Sequence, residues 1–173
     1  EATDPLGAFV GVGGLLDIGT VPDVSGGISL EGGLGIPLVE ARLRATFVFP
    51  RRAARVTTSG ADITSTSIDA RVCIHPFDEA RFIHGCAGFL LAVTVAEGIG
   101  FDRAETGIGT YGGGLAGLGL AWRPEPWFDL ELEANLIVHF NPLQFAVRAS
   151  PDVVFYEMAA VAGRFALAAH VRF

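Results

Sequence analysis

The chain has 173 residues, half of them hydrophobic, with 23 glycines, twelve arginines, no lysine and a formal net charge of −7. One domain accounts for that length, the acidic balance argues against nucleic acid as a partner, and the arginine-only usage reads as genome composition rather than mechanism. Mean hydropathy is +0.46, high for a soluble acidic protein, yet no run of about 18 apolar residues exists, which excludes a transmembrane helix. A closed β-barrel is then the remaining way to span a membrane, because any other backbone would leave amide groups unpaired in hydrocarbon.

Taken in order, the chain alternates with a period of two, the strand period. Leu6 to Ile18 sets Leu6, Ala8, Val10, Val12, Leu16 and Ile18 on one face and Gly7, Phe9, Gly11, Gly13, Leu15 and Asp17 on the other. After a Thr20–Asp23 turn, Val24 to Ile36 repeats the pattern, with Ser25, Ser29 and Glu31 on its polar face. The third strand, Val39 to Phe49, opposes Val39, Leu43, Phe47 and Phe49 to Glu40, Arg42, Arg44 and Thr46. Pro50 to Ser65 is polar and aperiodic and reads as a long loop. Ser67 to His75 carries Asp69, Arg71, Cys73 and His75 on one face, and the turn that follows centres on residues 78–81.

The fifth strand runs from Ile83 to Val95, with His84 and Cys86 on its polar face, and a second loop covers Ala96 to Thr106. Ile108 to Arg123 is glycine-rich but still alternates through Leu118, Leu120 and Trp122. Phe128 to Phe140 is the clearest strand, with Phe128, Leu130, Leu132, Ala134, Leu136 and Val138 against Asp129, Glu131, Glu133, Asn135 and His139. A loop over Asn141 to Asp152 leads to the last strand, Met158 to Phe173, whose odd face is apolar and whose even face holds Arg164, His170 and Arg172. In these registers the strand charges, Arg123 included, all fall opposite the apolar face.

Aromatic residues gather near strand ends, with Trp122, Trp127, Phe128 and Phe173 toward one end and Phe47, Phe49, Phe140 and Phe155 toward the other. Two interfacial girdles have this appearance. Glu157 departs from the last strand's parity and is expected above the bilayer. The connections are short after strands two, four and six and long after strands three, five and seven, as in barrels with short periplasmic turns and longer outer loops.

The pattern, over essentially the whole chain, resembles the OmpA/OmpX-type family of small outer-membrane barrels. The resemblance implies an all-β, eight-stranded antiparallel up-and-down transmembrane β-barrel, one domain over 1–173, with residues 1–4 a short periplasmic segment and the signal peptide already removed. It also implies location in the bacterial outer membrane, with lipid and lipopolysaccharide as surroundings. The terminal strand ending in Phe173 looks like the signal read by the barrel-assembly machinery.

An eight-stranded barrel is just wide enough for its side chains to fill. Arg42 and Arg44 on strand three are expected to reach across to Glu131 and Glu133 on strand seven, joined by Asp69, Arg71, Asp129, Arg164 and Arg172 in an ionic network. The register that sets Cys73 opposite Cys86 also sets His75 opposite His84. This favours a disulfide in an oxidising compartment, with a four-ligand zinc site the rival. No cofactor is expected. Arg51, Arg52 and Arg55 make the first long loop a candidate surface for lipopolysaccharide or a surface protein. The function read from the sequence is therefore a non-enzymatic structural or surface-interaction barrel. A narrow solute pore is the alternative, and a lipid A-modifying enzyme a weaker one, because no Ser accompanies His139 or His170 at short spacing on its face.

Overall fold

The computed structural model describes residues 6–36, 38–56, 59–76, 82–99, 106–147 and 153–173. Its strands are β1 (Gly7–Ile18), β2 (Val24–Ile36), β3 (Val39–Val56), β4 (Ser59–Ile74), β5 (Ile83–Ile99), β6 (Thr106–Glu125), β7 (Phe128–His139), β8 (Gln144–Val147), β9 (Val153–Glu157) and β10 (Val161–Arg172). Eight of them close in the order β1-β10-β7-β6-β5-β4-β3-β2, while β8 and β9 form a separate hairpin. All neighbours are antiparallel, and β10 seals the ring against β1 from Phe9↔Arg172 to Ile18↔Gly163.

The alternation sorts two environments. Leu132, Phe165 and Leu167 point outward at 53, 50 and 59% exposure, whereas Glu131, Glu133 and Arg164, one residue away from them, are at most 3% exposed. Soluble monomers do not carry a continuous apolar belt around their whole girth, so this wall is solvated by lipid and the polar residues by one another. Trp122, Trp127 and Phe173 stand exposed at the end holding the termini, and Phe47, Phe49 and Phe140 toward the other. The side chain of Phe155 and the turn at 78–81 lie outside the described residues, as do residues 1–4.

Three expected loops are corrected. Pro50 to Ser65 is mostly strand, since β3 continues to Val56 and β4 begins at Ser59. Its alternation was hidden by an irregularity: the β3–β4 register shifts between Val48 and Arg51, so inward positions pass from Val48 to Ala53 and the parity flips. The Ala96–Thr106 segment likewise contributes to β5 as far as Ile99 and starts β6 at Thr106. The Asn141–Asp152 segment contains β8, whose partner β9 takes in Glu157. The last barrel strand accordingly starts at Val161 rather than Met158.

Arginine in place of Leu132, near the middle of the lipid-facing wall, is expected to lower unfolding free energy by about 2–4 kcal/mol. Denaturant titration of the folded protein in phospholipid vesicles measures this.

Candidate functional site

The half of the lumen nearer the termini is filled by charge. Opposed strands β3 and β7 are bridged twice: Arg42 reaches Glu131 at 2.6 Å, and Arg44 reaches Glu133 at 2.6 Å. Arg42 also binds Glu40 at 2.8 Å, and Arg44 binds Glu31 at 2.6 Å. Arg71 reaches Glu31 at 2.8 Å and Asp69 at 3.3 Å, and contacts Glu133. Arg172 joins Glu40 at 2.8 Å and contacts Asp129, while Arg123 lies 3.6 Å from Asp129. Arg164 sits apart from this cluster, at 3.0 Å from Asp17.

Among the described residues, the seven lumenal carboxylates thus face six guanidiniums and His170. That ring offers one nitrogen to Asp129 at 2.6 Å and the other to Glu31. Ionised carboxylates only accept, so both ring nitrogens donate and His170 supplies the seventh positive charge. The sequence reading placed His170 in the lumen without seeing this bridging role.

Two small residues make the packing feasible. A Cβ on Gly11 would lie 2.0 Å from His170 Cδ2, and one on Gly119 would lie 2.1 Å from His84 Nε2. Phe9 closes the layer toward the termini, its ring 5.2 Å from both the Arg42 and the Arg172 guanidinium and 5.0 Å from His170.

The other half of the lumen holds an apolar cluster beside the buried Asp17–Arg164 pair, and the sequence reading missed the cluster. Leu15, Val48, Ile63, Leu90, Leu115 and Ile137 point inward and are buried. The available signal was the loss of alternation in Phe89-Leu90-Leu91 and Leu136-Ile137-Val138, where both faces are hydrophobic. The β8–β9 hairpin stops this end: Phe145 and Tyr156 pack on the cluster containing Leu15 and Ile63, and Leu143 and Tyr156 on that containing Leu90 and Met158. Tyr156 donates to Gly19 O at 3.1 Å, and its burial, with Asp17 nearby, pushes the phenol above its ordinary pKa.

Cys73 and Cys86 are disulfide-bonded, and the rings of His75 and His84 face each other with centroids 5.3 Å apart.

At the outer end, β3 to β6 continue past their neighbours. β2 pairs with β3 only as far as Gly27↔Val48, and β7 with β6 only as far as Gly113↔His139. Asn141 partly covers the resulting β6 edge, accepting from Gly112 N at 2.9 Å and donating to Thr110 O at 3.1 Å. By strand parity Ile108 turns its N–H and C=O to the same side, where no strand is paired among the described residues. On this projecting sheet Arg52 binds Asp62 at 3.1 Å, and Arg51 is exposed. The Arg55 side chain lies outside the described residues.

A lipid-walled, charge-filled ring of eight antiparallel strands is the fold of small outer-membrane β-barrels. Three solved structures share it: the attachment invasion locus protein Ail of Yersinia pestis (TM-score 0.64, 13% identity, 96% of this chain and 98% of that one); a major outer-membrane protein of Thermus thermophilus (0.63, 12%, 96% and 99%); and Neisserial surface protein A (0.57, 13%, 97% and 97%). At these identities the likeness is one of fold. No protein-family model matches the chain, and no curated protein is similar to it in sequence.

Replacing Glu31 by Leu removes the carboxylate shared by Arg44, Arg71 and His170 and leaves one positive charge uncompensated in the lumen, and the expected loss of stability is about 3–5 kcal/mol. The same change at exposed Glu157 should stay within about 0.5 kcal/mol. Unfolding titrations of both variants in vesicles compare them.

Proposed function

We propose that this protein is a non-enzymatic barrel of the bacterial outer membrane, one domain throughout, that holds a stiff β-sheet above the membrane as a surface for protein interaction. The observation that carries this reading is the extension of β3–β6 beyond the barrel rim. Their inner face is made of small residues such as Ala53, Ala61 and Ala96, covered by Phe145 and Tyr156 of the hairpin. The outer face and the β6 edge at Ile108 face solvent, with Ile108 itself 71% exposed. An unpaired strand edge is a template for another strand. Arg51, just beyond the lipid-facing Phe49, suits the phosphates of surrounding lipopolysaccharide.

Filled by ion pairs in one half and by an apolar cluster with the Asp17–Arg164 pair in the other, the lumen favours anchoring over solute passage. The two histidines that a hydrolytic reading would use are held elsewhere: His139 Nδ1 bonds Ala159 O at 2.7 Å, and His170 is clamped by carboxylates.

The test places a photo-crosslinking residue at Arg52 in intact cells. The expected result is a protein adduct that disappears when Ile108→Pro removes the edge N–H, while the barrel still folds. An adduct unchanged by Ile108→Pro, or no protein adduct at all, contradicts the reading.

A further inference from the structure

The lipid-facing wall is not uniform. Toward its outer end β4 to β6 carry an apolar groove of about 1010 Å³, at the upper end of the range for small-ligand sites. On β6 the groove has a bare strip, because Gly112 presents no side chain between exposed Leu91 and exposed Phe140. Across β5 it continues over Ala70 on β4. Its upper margin is polar: Thr66, Val93 and Thr110 share one rung of the three strands, level with Phe47, which pairs with Thr66. Both threonines are exposed, and among the described residues neither hydroxyl has a hydrogen-bond partner. A hydroxyl left unpaired against hydrocarbon is costly, so this rung suits the ester oxygens at which acyl chains begin. Four residues further along β4, about 9 Å higher for a strand tilted near 45°, Asp62 stands opposite Glu97. Arg52 neutralises Asp62 at 3.1 Å, whereas exposed Glu97 has no ion pair among the described residues. Like charges directly opposite are destabilising, so a cation at Glu97 is favoured.

We propose that this groove is a binding site for one phospholipid with an ammonium headgroup, of the phosphatidylethanolamine class. One acyl chain lies along Gly112 between Leu91 and Phe140, and the other passes over Ala70. The esters meet the hydroxyls of Thr66 and Thr110, and the ammonium group sits at Glu97. Shape admits the hydrocarbon, and charge selects the headgroup. Lipid A brings only negative phosphates to a rung where Asp62 and Glu97 already outnumber Arg52, so like charge rejects it there.

The experiment refolds the full chain in lipid-free detergent, adds phosphatidylethanolamine, phosphatidylglycerol and lipid A in equal amounts, and measures bound lipid by native mass spectrometry. The expected result is one phosphatidylethanolamine per chain, in excess of either competitor. Glu97→Gln should lower the preference over phosphatidylglycerol about twofold to fivefold, the worth of an exposed ion pair. Gly112→Leu should fill the groove and lose the adduct. Its Cβ makes only ordinary contacts, 3.6 Å from Leu91 and 3.9 Å from Phe140, so the barrel still folds, which faster migration of unheated samples on gels confirms. Gly163→Leu, on the lipid face of β10 where a Cβ meets nothing within 4 Å, should keep the adduct. Phosphatidylethanolamine bound no better than phosphatidylglycerol or lipid A overturns the inference. So does a preference unchanged by Glu97→Gln, an adduct that survives Gly112→Leu, or one lost equally in Gly163→Leu.

Discussion

Everything in this barrel depends on the pairing of buried charge. Eight strands enclose only enough room for side chains, so an inward Glu or Arg gives up water and must find its counter-ion across the lumen. Arg42 and Arg44 on one wall find Glu131 and Glu133 on the opposite wall, and Glu31 gathers Arg44, Arg71 and His170. Desolvation of such ions is expensive, and the pairing offsets it only while every partner is present. The network is therefore weak evidence of stability in itself and strong evidence of a fixed register. A slip of one residue in β3 or β7 would carry these charges into lipid.

That constraint divides the molecule along its axis. Charge fills the half near the termini, bounded by Phe9; the outer half combines an apolar cluster with the buried Asp17–Arg164 pair and is bounded by the β8–β9 hairpin. The apolar half couples the lumen to the exterior, because Tyr156 and Met158 pack on Leu90 and Ile137 below while Phe145 packs on the projecting sheet above. The sheet is thus braced from inside by the hairpin that stops the barrel mouth. This gives a membrane-anchored surface a defined orientation, which a flexible loop would lack.

Much of this was legible in the sequence because lipid on one side and charge on the other enforce strict alternation. β2, and β7 as far as Leu136, show it without interruption, and the number of barrel strands, their order and the Cys73–Cys86 pairing follow from the same registers. Where a second physical demand enters, the pattern fades. After Val48 the inward positions flip parity, and beyond the rim the sheet rests on the hairpin instead of lipid, so Pro50 to Ser65 resembled a loop. Leu90 and Ile137 point into an apolar lumen and erased the contrast that marks an inward residue. The bridging role of His170 depends on the close approach of β2 and β7 side chains, which pattern does not encode.

The central claim, that paired charge and apolar packing close the lumen, is tested most directly by single-channel recording of the folded protein in planar bilayers. The expected trace shows no steady conductance at any applied voltage the bilayer withstands. A stable ohmic conductance that scales with protein insertion would contradict it.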